Sequence, residues 1–218
     1  MRSKSKHLDE LTHKAGKALV ATNYFDAERI ALRAVILARS AGDFDRLARL
    51  CLPLQEARRQ RLMQAFDAAA GKVTVLDEKV VVDDLHVTPG CYLVQPMLVG
   101  ADARRLRLRA LEEQVPVAVL CREPISQMGL QPMVAVGEQT IRVQIRPAKD
   151  RAQPSLEWFI DALEQLGDAA IQQIDPARQG DRLVDVYLRL LDAHPDHEKL
   201  HQGLADAARA AALLTSAA

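Results

Sequence analysis

Net charge is absent from this 218-residue chain, in which 29 basic side chains balance 29 acidic ones. That removes the overall attraction on which nucleic-acid and anionic-membrane binders depend. Cysteine is scarce and odd in number: Cys51, Cys91 and Cys121 stand far apart with no C-x-x-C spacing. A disulfide framework needs pairs, so reduced thiols in a cytoplasm are expected. No apolar run approaches the roughly 20 residues of a membrane span. The basic start, Met1-Arg2-Ser3-Lys4-Ser5-Lys6, runs into polar residues where a signal peptide would place its apolar segment. Neither G-x-G-x-x-G nor G-K-[ST] occurs, so the usual phosphate-cradling loops are missing too. These absences predict a cytoplasmic, soluble protein with no membrane partner.

What is present is an ordinary globular balance, 49% apolar and 27% charged, enough for one good core or two modest ones. Arg outnumbers Lys 21 to 8 and asparagine occurs once, at Asn23, a bias typical of a GC-rich bacterial genome. Two alanine-rich blocks, 8–70 and 154–214, carry helical periodicity. In the first, Leu8, Leu11, Ala15, Ala18 and Leu19 share one face. After Thr22-Asn23, a second face follows with Ala27, Ile30, Ala31, Ala34, Val35 and Ala38. Gly42-Asp43 closes this hairpin. A third helix begins near Asp43 with Phe44, Leu47, Ala48, Leu50 and Cys51 inward. Pro53 predicts a kink or the first turn of a fourth helix ending near Ala70.

Ala15, Tyr24, Ala27 and Ala34 give residues 8–41 a spacing that resembles the tetratricopeptide (TPR) helix hairpin. Small residues recur in that family where two helix backbones approach closely, and an aromatic sits at the turn. No Trp stands near Leu11, and Ala31 occupies a position where the family prefers a bulkier ring. The resemblance implies a unit that binds other proteins rather than doing chemistry.

At Gly71 the period changes. Val73–Leu76 and Lys79–Val82 read as two short strands about Asp77-Glu78, in hairpin fashion. Cys91–Gln95 reads as a buried strand, 101–114 as an amphipathic helix, and Val117–Cys121 as a second buried strand. Strand, helix and strand at this spacing form a βαβ unit with parallel strands. Met133–Val136 and Thr140–Ile145 add a hairpin about Gly137-Glu138, so a mixed sheet is expected. Residues 147–154 read as a polar linker. Helices resume after Ser155, a good N-cap, and Gly167-Asp168-Ala169-Ala170 is expected to break that run. A strongly amphipathic segment at 181–193 and a last helix after Ala193-His194-Pro195-Asp196 complete the chain.

Three constellations carry chemical possibilities. His197-Glu198-Lys199-Leu200-His201 matches H-E-x-x-H, in which two histidines one helical turn apart bind zinc and the glutamate polarises a bound water. Charged Asp196 and Lys199, the absence of a well-placed third ligand, and an N-cap at Asp196 argue for a solvated first helical turn instead. Gln95, Cys121, Arg122 and Glu123 follow the strands of the βαβ unit, at the carboxyl ends where ligands of open α/β sheets gather. A packed cysteine and a structural Arg–Glu pair are the plainer roles there. Arg58, Arg59 and Arg61, and Arg104, Arg105, Arg107 and Arg109, form basic runs. With acidic neighbours and no interleaved aromatics, they read as solvated helix faces rather than a nucleic-acid surface.

The expected fold is therefore α+β: a mixed sheet of five or six strands containing a βαβ unit, with TPR-like antiparallel helices at both ends. Its segments are 1–70 (helical hairpins), 71–147 (small mixed α/β domain) and 154–218 (C-terminal helices able to pack on the N-terminal block). The expected function is a non-catalytic protein- or peptide-binding scaffold acting through Asn23, Arg29, Arg33 and Arg46, without a cofactor. Two alternatives stay open. One is a zinc-dependent hydrolase built on His197, His201 and Glu198; the other is a small-molecule binder at Gln95, Cys121, Arg122 and Glu123.

Overall fold

The computed structural model describes residues 2–77 and 81–217. Among the described residues it is an α+β fold of seven helices and a five-stranded mixed sheet. Its residues fall into two compact units. One comprises Met1–Gln60, Ile174–Leu191 and Glu198–Ala218; the other comprises Arg61–Gln173 and Asp192–His197. The helix that spans residues 44–69 contributes to both, and the C-terminal segment is divided between them.

The first unit opens with α1 (Arg2–Val20) and α2 (Tyr24–Ala41), joined by a short turn. The alanine spacing explains the pairing, because Ala15, Ala27, Ala31, Ala34 and Ala38 are each 0% exposed. A residue no larger than a methyl lets two backbones approach, and each buried apolar group adds its transfer free energy. Gly42 ends α2 in the left-handed conformation at φ 67°, and its N–H bonds back to the helix, satisfying carbonyls left open at the C-terminus. α3 (Phe44–Ala69) follows at once. Pro53 does not divide it: the helix is continuous, with Leu50, Cys51, Leu54 and Ala57 buried on either side. An interior proline costs about 3 kcal/mol through its missing N–H and ring clash. Burial of the flanking residues offsets that cost. α6 (Gly180–Ala193, as far as Leu191) and α7 (Glu198–Ala217) complete the unit. A β-carbon at Gly203 of α7 would meet the Tyr187 ring of α6 at 2.4 Å, so this glycine permits the contact between them.

Polar contacts reinforce the unit. Arg39 of α2 donates to both carboxylate oxygens of Asp185 in α6, at 2.6 and 2.8 Å. That hydrogen bond raises the Arg39 pKa above its ordinary value, against desolvation, with the charges of Asp185 and Asp181 adding to it. Arg58 of α3 donates to Glu28 of α2 at 2.9 Å with both side chains buried. Arg58 and Arg61 are thus not on a solvated face; they are 5% and 8% exposed.

The second unit is built on the sheet, in the order β1-β2-β3-β4-β5. β1 (Val73–Leu76), β2 (Gly90–Val94) and β3 (Val117–Arg122) run parallel, whereas β4 (Gln131–Val136) and β5 (Thr140–Ile145) complete it as an antiparallel hairpin. The βαβ unit is β2, α4 (Gly100–Glu112) and β3. Where a hairpin is expected at 73–82, β1 pairs in parallel with β2, and Val82–Asp84, at the end of the second expected strand, is a turn of 3₁₀ helix. Glu78 of the expected turn, and Lys79 and Val80 of the second expected strand, lie outside the described residues. A valine-rich stretch suits a strand or any half-buried segment, and here Val82 is buried in a cluster with Tyr92, Val94, Leu106 and Cys121. α4 starts against β4, where a β-carbon on Gly100 would sit 2.6 Å from Val136. Asp102 accepts from the Val99 N–H at 2.8 Å and satisfies one of the open donors at its start.

α5 (Leu156–Gln172) packs on β4 and β5 through an apolar face that includes Phe159, Ala162, Leu163 and Leu166. Ser155 caps it, accepting from the Trp158 N–H at 3.2 Å. The helix runs straight through Gly167, so the expected break is absent. Glycine costs a helix roughly 1 kcal/mol relative to alanine but need not end it. Its role at this position is a close approach by another side chain.

Candidate functional site

On α2, Arg29, Arg33, Ile36 and Ser40 are exposed at successive helical turns, and Ile36 keeps 55% of its surface open. Arg29 pairs with Asp26 at 2.7 Å, whereas Arg33 makes no ion pair among the described residues. Asn23 is exposed at the start of α2 and makes no side-chain capping bond. Arg46, the fourth residue expected on this surface, is engaged within the fold. It bonds Asp43 at 2.6 Å and Asp9 at 3.0 Å, tying α1 to the start of α3. These bonds, Asp43 first, lift its pKa above the ordinary value.

At the sheet, Gln95 just past β2 and Arg122 at the end of β3 lie side by side, and Arg122 donates to the Gln95 amide oxygen. Arg122 also donates to the Arg151 carbonyl at 2.8 Å and is 8% exposed. Burial, then the Arg151 charge, lowers its pKa. Glu123 accepts from Arg142 at 3.1 and 3.2 Å. Cys121 points into the cluster beneath α4, where burial pushes its thiol up to about 12. Gln95 and Arg122 thus meet, whereas Cys121 faces away from them, as strand alternation requires.

Within the second run of arginines, Arg105 is exposed as expected of a solvated face, whereas Arg104 and Arg107 are half-buried and engaged within the fold. Arg104 of α4 donates to both carboxylate oxygens of Asp192, at 2.7 and 3.2 Å, and Arg107 donates to the Asp192 carbonyl at 2.7 Å. The Glu138 N–H adds a bond to Asp192 at 2.8 Å. Burial works to raise the Asp192 pKa, but the bonds from Arg104 and Glu138, and the charges of Arg104 and Arg107, outweigh it and hold the carboxyl below its usual range. A β-carbon at Gly137 would lie 2.6 Å from the Ala193 nitrogen. The segment 192–197 is therefore fastened to α4 and to the β4–β5 turn.

That fastening delivers two histidines to α5. His194 donates from Nε2 to the Leu163 carbonyl at 3.0 Å, because a carbonyl only accepts. Burial, and next the neighbouring His197, depress its pKa to about 3, so it stays neutral. The His197 ring lies 5.7 Å from that of His194. It rests on Gly167, where a β-carbon would come within 2.2 Å of it. Its Nε2 stands 3.3 Å from Asp168 Oδ1 and 3.5 Å from Glu164 Oε2. The ring is 1% exposed, while the two carboxylate side chains are 57% exposed at Glu164 and 40% at Asp168.

This differs from the H-E-x-x-H expectation in its partners. His197 precedes α7, which begins at Glu198, whereas His201 is buried inside that helix. Asp196 lies in the preceding turn, so the helix starts one residue later than an N-cap there would place it. The carboxylates beside His197 come from α5, more than one element upstream. The only trace of them in the sequence is the E-x-x-G-D spacing around Gly167, which puts two acids and the gap between them on one helical face.

Scans against family models, curated proteins and solved structures each find no match to this chain. Among the described residues, no helix is long and apolar enough to cross a membrane.

Proposed function

We propose that this chain is a non-catalytic, TPR-like binding module that takes an acidic protein or peptide segment on the exposed side of its first helical hairpin. The supporting observation is the division of labour on α2. Its alanines at 27, 31, 34 and 38 are 0% exposed against neighbouring helices, while Arg29, Arg33 and Ile36 face outward one turn apart. Two cations about an open apolar side chain suit a ligand with a hydrophobic anchor flanked by carboxylates. Asn23 extends this surface at the entry to α2, whereas Arg46 acts by holding α1 in place. The working location is a reducing cytoplasm, in keeping with three buried, unpaired cysteines.

A small molecule at the strand ends has less in its favour, because Gln95 engages Arg122 and Glu123 engages Arg142.

The test is selection from a displayed random-peptide library on immobilised full-length protein, followed by affinity measurement on the selected peptides. The expected outcome is an acidic consensus with an apolar anchor, weakened at least about tenfold by Arg33→Glu with Ile36→Asp. A library that yields no consensus, or peptides indifferent to these changes, would defeat the reading.

A further inference from the structure

We propose that Glu164, Asp168 and His197 form a binding site for a zinc-type divalent metal ion. The three residues offer one nitrogen and two carboxylate oxygens, all within 4.8 Å of one another. Two of the separations are informative. Nε2 of His197 lies 3.3 and 3.5 Å from the carboxylate oxygens. A charge-assisted hydrogen bond draws its atoms to about 2.8 Å. Ligand atoms held about 2.1 Å from a tetrahedral ion instead stand about 3.4 Å apart. The observed spacing is that of edges around a metal.

The imidazole is also set in place before any ion arrives. It is pressed on the Gly167 backbone, and its segment is secured by Asp192, Arg104 and the Glu138 N–H. A ligand whose ring is already oriented loses little freedom on binding. The neighbouring ring, His194, is itself held by its Nε2 bond to the Leu163 carbonyl, which keeps it from crowding the site. Both carboxylates are open to solvent, which gives an ion a route in and leaves a coordination position for water. One nitrogen and two oxygens form a borderline donor set, favouring zinc-type ions over magnesium or calcium, which prefer all-oxygen shells.

The test uses full-length protein freed of metal by chelation and dialysis. Zinc chloride is titrated in competition with a chromophoric chelator, and cobalt(II) is added separately as a spectroscopic probe. The expected result is one zinc per chain and a visible cobalt spectrum of tetrahedral intensity. Asp168→Asn and Glu164→Gln should each weaken zinc at least about tenfold. Glu164 is exposed and Asp168 half-buried, so an unchanged far-UV circular dichroism spectrum is required of the variants. His201→Gln, checked in the same way, should retain the ion. The proposal is overturned if no stoichiometric zinc binds, as expected of a simple imidazolium–carboxylate cluster. It is also overturned if Asp168→Asn leaves affinity unchanged, or if His201→Gln alone abolishes binding in a folded protein.

Discussion

A β-carbon built on Gly167 would lie 2.2 Å from the imidazole of His197. In an ordinary helix, glycine to alanine stabilises by up to about 1 kcal/mol. Here the added methyl must displace a buried ring, an overpacking that costs about 1–3 kcal/mol. Gly167→Ala should therefore lower the denaturant midpoint. A variant as stable as the parent would show that the ring does not rest there.

The buried Glu28–Arg58 pair joins α2 to α3. Breaking a buried pair by removing one member costs about 3–5 kcal/mol, whereas replacing both with apolar side chains of similar size is close to neutral. Glu28→Ala should lose most of the stability of the helical unit, and Glu28→Met with Arg58→Leu should recover much of it. Equal losses in the single and double variants, by urea unfolding, would contradict this.

His194 gives the fold a predictable response to acid. Its pKa is near 3 when folded, depressed chiefly by burial and then by His197 and Arg107, against an ordinary value of 6.5. Below pH 6.5 the unfolded chain takes up a proton that the folded one refuses. The stability present above that pH therefore drains away as pH falls toward 3, by about 1.4 kcal/mol per unit. Unfolding measured from pH 7 to pH 5 should show this slope, and His194→Gln should flatten it. An identical slope in the variant would rule out His194 as its source.

Burial pushes the thiols of Cys51, Cys91 and Cys121 up to about 12, so thiolate is negligible at neutral pH. Ellman's reagent should find almost no reactive thiol in the native protein and three in denaturant. Rapid native labelling would mean that the helices or the sheet open readily.

Periodicity carried the α+β class, the βαβ unit, the β4–β5 hairpin and the Ser155 cap, because each rests on contacts close in sequence. It misplaced the features set by distant partners. Pro53 and Gly167 are both helix-unfriendly locally, yet both sit inside helices because buried neighbours outweigh the local cost. The arginines at 58, 61, 104 and 107 followed a surface-like pattern, but their roles depend on acids and carbonyls far along the chain. Of the three proposed metal ligands only His197 stood out. Glu164 and Asp168 become its neighbours through the fastening of 192–197, which no local pattern encodes.

The binding role is tested most directly by amide chemical-shift mapping of the isotopically labelled chain during titration with a selected acidic peptide. Saturable shifts concentrated at Asn23, Arg29, Arg33 and Ile36, with α4 and the sheet unmoved, are the expected result. Shifts confined to the strand ends at Gln95 and Arg122, or none at all, would contradict it.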